Sequence, residues 1–197
     1  MTRAGAITIG TLLILGCARH LQPPPAKIPA SVSVVLPANR TGRPLLIEGA
    51  SFLEKYALHT DRVTVEDVLA AEARTQLVRR GIAVTPPEAV DAATGGRAPR
   101  SAAEAAELIR AAHLPGGVLY FQINQWESDG THPPYVIVGA DAVLLDVETG
   151  AATWSAHRPP TPVPTPGAVT VATAYTITAQ KTAEEMLSSW GAERPPS

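Results

Sequence analysis

"YVIVGADAVLLDVETGAATWSA", residues 135–156, decides the fold. Residues 135 to 147 are dominated by β-branched and aliphatic side chains and read as one long strand. "VETG" follows as a hairpin loop, with Gly150 where a positive φ is needed, and "AATWSA" pairs back. Just upstream, "VLYFQINQW", 118–126, has the same strand composition, and "SDGTHPP", 128–134, is the turn between them. The carboxy-terminal half of the chain therefore opens as a run of antiparallel strands.

Towards the amino terminus the pattern changes to alternating helices and short strands. "SAAEAAELIRAAHL", 101–114, begins with a Ser101/Glu104 capping box and carries an inner face of Ala105, Leu108, Ile109 and Ala112; Pro115-Gly116-Gly117 end it. "TVEDVLAAEARTQLVRRGIAV", 64–84, starts with Thr64 and Asp67 in a capping arrangement. It sets Val65, Leu69, Ala73 and Leu77 on one stripe and breaks at Gly81. Ile82 to Thr85 then read as a strand stopped by Pro86-Pro87, and residues 88–100 as a flexible loop. "SVSVVLPANRTG", 31–42, gives a nearly continuous apolar strand at Val32–Leu36, ended by Pro37 and a turn. Residues 44–60 have no clear period, although Phe52, Leu53 and Tyr56 suit a short helix. Beyond the hairpin, five prolines between 159 and 166 read as a loop that cannot join a ladder. Residues 168–178 fit either an alternating strand or a helical stripe through Ala172, Tyr175 and Ala179. Helix is preferred, continuing through Ala183, Met186, Leu187 and Trp190. The order predicts an α/β domain: a single mixed sheet flanked by helices, with an antiparallel carboxy-terminal hairpin.

The first twenty residues carry a different message. Arg3 adds a positive charge to the amino terminus, and Ala4 to Leu15 form an apolar run of only ~18 Å as a helix, too short for a ~30 Å hydrocarbon core. Ile14-Leu15-Gly16-Cys17 closes it with the only cysteine of the chain. This arrangement describes a secretory signal peptide, and its end resembles the bacterial lipobox. The resemblance implies cleavage before Cys17 and acylation of its sulfur and new amine. The competing reading is a core cysteine in an amino-terminal helix. Residues 1–16 are thus expected to be a signal peptide, 17–30 a lipidated cysteine with a proline-rich tether, 31–190 the α/β domain and 191–197 a disordered tail. An edge segment packed on the domain is the alternative for the tether. Ala18 stands where an aspartate retains enterobacterial lipoproteins in the inner membrane, so the periplasmic face of the outer membrane is the expected location, with the inner membrane as the alternative.

Composition narrows the function classes. The formal net charge is −2, which gives no nucleic-acid footprint and no polybasic membrane patch. Thirty-three alanines and 5% aromatic residues predict a small-residue core. With Cys17 acylated, no thiol remains for a disulfide. His20, His59, His113, His132 and His157 lack metal-ligand spacing, and no phosphate-binding glycine loop or nucleophile elbow is present. His113 falls in a helical last turn, where a cation suits the dipole. Asp129 and His132 share the 128–134 turn, as solvated turn residues or as an ion site. Asp141 and Asp146 are five apart and so face opposite sides of a regular strand, unless a bulge near Gly139 brings them together. Asp146 is better read as shaping the hairpin. No cofactor and no metal are expected.

The large aromatics concentrate in the strand block. Tyr120 and Trp126 are expected on one strand face and Phe121 on the other. Trp126, Tyr135 and Trp154 are the candidate interaction residues, because Trp and Tyr are favoured anchors.

Three stretches resemble the group formed by the TolB amino-terminal domain, CsgG and LpoB. They are "SVVLPANRTG", "LVRRGIAVTP" and the hairpin "AVLLDVETGAATWSA", matched at Leu145, Asp146, Thr149, Gly150 and Trp154. The lipobox and "VLYFQINQWES" are most similar to lipoproteins of domain-of-unknown-function family 799. The likeness spans about residues 31–157, with Ala38 where an aromatic is usual. It implies a periplasmic lipoprotein, held in the bilayer by the Cys17 acyl chains, that assists an envelope machine through a protein partner, without catalytic residues. The competing class is a periplasmic enzyme or small-ligand sensor with a polar site near the 128–134 turn.

Overall fold

The computed structural model describes residues 28–47, 63–128, 135–188 and 190. Cys17, the tether to residue 27, the expected short helix around Phe52, the Asp129/His132 turn and the tail lie outside the described residues.

The main sheet contains β1 (Ser31–Val34), β2 (Ala38–Asn39), β5 (Ala83–Val84), β6 (Gly117–Ser128), β7 (Tyr135–Asp146) and β8 (Ala152–Pro164), in the order β5-β1-β6-β7-β8, with β2 also on β6. β5, β1 and β6 run parallel, and β6, β7 and β8 form an antiparallel meander. This is the expected mixed sheet. A separate two-stranded ladder joins β3 (Leu46–Ile47) to β4 (Val63–Thr64).

Helices α1 (Val65–Arg79) and α4 (Val171–Met186) cover one face of the sheet. The α1 stripe of Val65, Leu69, Ala73 and Leu77 is wholly buried. Thr64 Oγ1 accepts from the Asp67 amide while Asp67 Oδ2 accepts from the Thr64 amide, the reciprocal cap expected of that pair. At the far end of α1, Gly81 adopts φ 74°. Its amide donates to Val78 O, and Ile82 N donates to Leu77 O, a Schellman closure. α4 settles the ambiguity at 168–178 in favour of helix. Thr170 caps it, and Ala174, Ala179 and Ala183 bury against α1 and the sheet.

The other face is covered only in part. α2 (Pro87–Thr94) and α3 (Ala102–Ala111) pack Val90, Ala105 and Ile109 on Val35, Val118, Tyr120 and Val147. The flexible loop expected at 88–100 is therefore corrected: residues up to Thr94 are helical. Pro87 stands in the first turn, where its missing N–H is not needed. On α3, Ser101 Oγ accepts from Glu104 N at 3.1 Å, but the Glu104 carboxylate turns to Arg100 N rather than Ser101 N. The expected box is half formed, and the expected inner-face residue Ala112 is exposed while Ala106 is buried.

The proline stretch needs the second correction. β8 continues through Pro159, Pro160, Pro162 and Pro164 to the end of the ladder. It does so because β8 is an edge strand. Alternate backbone nitrogens there point away from β7, so Pro160, Pro162 and Pro164 forfeit no ladder bond, and Pro159 falls at the register shift opposite Gly139, where pairing is interrupted.

Candidate interaction surface

β6 sets the geometry of the surface, and its decisive residue is Asn124. The β6–β7 register runs Ile123↔Ala140 and then Gln125↔Gly139, so β6 carries one extra residue, a bulge at Asn124. A bulge inverts side-chain parity downstream. Tyr120 and Trp126 therefore do not share a face. Trp126 joins Phe121 on the α4 side and is fully buried, edge-on to Tyr175 with ring centroids 5.9 Å apart. Trp154 is buried too, 4.9 Å from Trp190. Both tryptophans are core residues, which corrects their expected place on a partner surface. Tyr135 alone of the three stays half-buried on the opposite face.

Among the described residues nothing covers that opposite face beyond the reach of α2 and α3. Its lower part is polar. Asp141 and His157 are directly opposed across β7 and β8, with Asp141 Oδ1 2.6 Å from His157 Nδ1. Asn124 Nδ2 donates to Asp141 Oδ2 at 2.6 Å, and Gln122 Nε2 donates to Asn124 Oδ1 at 2.8 Å. Asp141 thus ties the bulged residue of β6 to His157 of β8 across the solvent side. A hollow of about 220 Å³ lies here, lined by Tyr120, Gln122, Asp141, Val143, Ser155 and His157. Burial raises the pKa of the Tyr120 hydroxyl, an effect opposed by the Arg40 guanidinium nearby.

Above the bulge the same face turns apolar. The register places Ile137 beside Pro162 and Tyr135 beside Pro164. Gly139 keeps this region flat: a Cβ there would sit 3.1 Å from Pro160 Cγ. Prolines 160, 162 and 164 are exposed, and Tyr135 and Ile137 half-buried. They form a rigid apolar ridge beside the polar ladder.

The other sequence candidates fall elsewhere. Asp141 and Asp146 remain on opposite faces of β7, because the extra residues at the bulges belong to β6 and β8. Asp146 shapes the hairpin as expected, with Oδ1 accepting from Thr149 N at 2.9 Å and from Thr149 Oγ1 at 2.8 Å. His113 lies just past α3, clear of the polar ladder. Asp129 and His132 lie outside the described residues. The Asp141–His157 pairing was missed from sequence because it depends on the β7–β8 register, and that register shifts within the proline stretch. Among the described residues no group of three or more His, Cys, Asp or Glu side chains is placed to hold a metal.

No protein-family model matches the chain, and no curated protein does. Solved structures do. A single-residue variant of the PelC dodecamer from Paraburkholderia phytofirmans is 20% identical, with 87% of this chain and 94% of that one covered at a TM-score of 0.52. The carboxy-terminal domain of LpoB from Salmonella enterica is 16% identical over 72% of this chain and 87% of that one, at 0.44. Lipoprotein GNA1162 from Neisseria meningitidis is 16% identical over 78% and 96%, at 0.42. The likeness to PelC extends over nearly all of that chain, and what the two share is the fold.

Proposed function

We propose that this chain is a bacterial lipoprotein, anchored by the acyl chains of Cys17 at the periplasmic face of the outer membrane. Its role is that of a non-enzymatic accessory or scaffold in envelope assembly, transport or secretion, and it works by holding a protein partner. The lipobox at residues 14–17 supports the anchor, and with "VLYFQINQWES" it supports kinship with family 799. The observation that carries the binding role is the sheet face left partly uncovered among the described residues, where Tyr135, Ile137 and three exposed prolines make a rigid apolar ridge. Such a surface loses little conformational entropy on binding. The PelC protein of the same fold is a dodecamer, which supports placing this chain in a larger assembly.

Two measurements test the reading. Cys17→Ser is expected to abolish incorporation of labelled palmitate and shift the protein out of the membrane fraction, since several acyl chains at ~0.8 kcal/mol per buried CH₂ make the anchor. Wild-type protein recovered wholly from the soluble periplasm would overturn it. Tyr135→Ala is expected to weaken crosslinked partner capture roughly 30-fold, the scale of a ~2 kcal/mol hot spot, with folding unchanged by circular dichroism.

A small-ligand sensor is the second reading, favoured by the hollow between Tyr120 and His157. Loss of function in an Asp141→Asn/His157→Ala variant, with Tyr135→Ala active, would select it.

A further inference from the structure

We infer that Arg40, Arg97 and Arg100, beside the sheet face that α2 and α3 cover in part, form a docking rim for a carboxylate-rich segment of a partner protein. The inference rests on the reading of this chain as a binding module and adds the chemistry of what it binds.

All three arginines are exposed. Arg40 follows β2, and its amide donates to Ile123 O on β6. Its guanidinium donates to the carbonyl of Arg100, at the foot of α3. Three residues on, the Arg43 guanidinium donates in the same way to Trp126 O at 2.6 Å. These tips are held by backbone carbonyls, which position them without neutralising them. Among the described residues none of Arg40, Arg43, Arg97 and Arg100 is ion-paired with a carboxylate.

The described acids nearest Arg97 and Arg100 in sequence are engaged. Glu104 accepts from Arg100 N at 2.6 Å, beside the amino terminus of α3. Asp91 and Glu88 of α2 lie within electrostatic reach of Arg74 on α1. Arg40, Arg97 and Arg100 thus present three exposed guanidiniums on a chain whose formal net charge is −2. A planar guanidinium with N–H groups to spare matches a carboxylate in two-point contact, which an ammonium does not.

Position argues for a protein rather than the bilayer. The chain enters the domain at Pro29, packed near Gly117 at the start of β6. The rim lies level with Ile123, about 20 Å further along that strand. It flanks the sheet instead of facing the end at which Pro29 enters the domain.

The test uses the full chain in detergent micelles, with a fluorescein-labelled octaglutamate peptide as probe and anisotropy as readout. Saturable binding is expected, weakening at least 5-fold when salt rises from about 50 to about 300 mM, because exposed charges are screened. Arg97→Glu with Arg100→Glu should weaken it 10-fold or more. Arg79→Glu with Arg80→Glu, an equal charge change at the end of α1, should change it less than 2-fold. Arg40→Gln, which keeps a donor for the Arg100 carbonyl, should give an intermediate loss. Equal losses in both double variants, or no saturable binding by the wild type, would overturn the inference. So would tighter, equally arginine-dependent binding to phosphatidylglycerol vesicles, which would make the rim a membrane contact. Cys17→Ser should bind the peptide like wild type, so failure of the anchor and failure of the rim give separate results.

Discussion

His113 holds a φ of 56° immediately after α3, the one positive φ among the described non-glycine residues. Its amide donates to Arg110 O at 2.9 Å and Leu114 N donates to Ile109 O at 3.2 Å, so it fills the position where a Schellman motif favours glycine. His113→Gly is therefore expected to stabilise the domain by about 0.5–1 kcal/mol, the left-handed penalty less the entropy glycine adds to the unfolded chain. Urea unfolding measures it, and a net loss would mean the imidazole makes an offsetting contact. Gly116, three residues on, is the opposite case. Its φ is 95°, and a Cβ would lie 2.2 Å from Ser31 O, a backbone atom that cannot turn aside. Gly116→Ala should cost roughly 2 kcal/mol or more by the same unfolding curve. Gly150, with φ 70° and its amide on Asp146 O, was legible because D-x-x-x-G in a hairpin declares itself. His113 was legible only as a last-turn residue, since its side chain gives no sign of a left-handed backbone.

At the scale of elements, what sequence reveals is what repeats locally. The α1 stripe, its Thr64 cap and its Gly81 stop all lie within a few residues of one another. α2 escaped because Pro86-Pro87 stop a strand and start a helix with the same chemistry. The Asn124 bulge escaped because it is defined only against β7, and with it went the correct face for Trp126. The first turn of α1 also holds a strained carboxyl. Burial raises the Glu66 pKa above its ordinary value, partly offset by hydrogen bonds that include Asn39 Nδ2 at 2.7 Å from Oε1. The folded state therefore binds this proton more tightly than the unfolded chain does. Its contribution to stability is fullest below the unfolded pKa of about 4.5 and is lost as pH rises through the folded value. Glu66→Gln keeps the acceptor for Asn39 and removes the titration. The variant should gain stability relative to wild type as pH climbs from 4 to 7, by up to about 1 kcal/mol at neutrality, the scale of relieving one poorly partnered buried group. A gain independent of pH would refute the assignment.

For the molecule as a whole, the sheet divides two apolar clusters, the larger under α1 and α4 and the smaller under α2 and α3. α4 is attached to the far edge of the meander by two polar contacts, Arg158 on β8 with Glu185 and Lys181 Nζ donating to Pro164 O. Arg158 is 8% exposed and Glu185 64% exposed, so the arginine stem fills core space while its charge reaches the rim. Arg158→Ala should cost about 2–3 kcal/mol through lost packing as well as lost pairing, and Arg158→Met less than half of that. Equal losses in thermal unfolding would assign the effect to charge alone. The broad architecture was readable because strand and helix periods alternate in order. The candidate surface was readable only at Tyr135. Its other members come together from three strands whose relative register is tertiary.

The alternating prolines of β8 bear on what this molecule can become in company. An unprotected edge strand of thirteen residues would invite addition of a further strand, from a like chain or a foreign one. With no N–H at 160, 162 and 164, such growth finds alternate donors missing, and an amyloid-like ladder has nowhere to start on that side. Crowding many copies together then carries little hazard of fibre formation through this edge, and whatever order they adopt has to come from side chains meeting face to face.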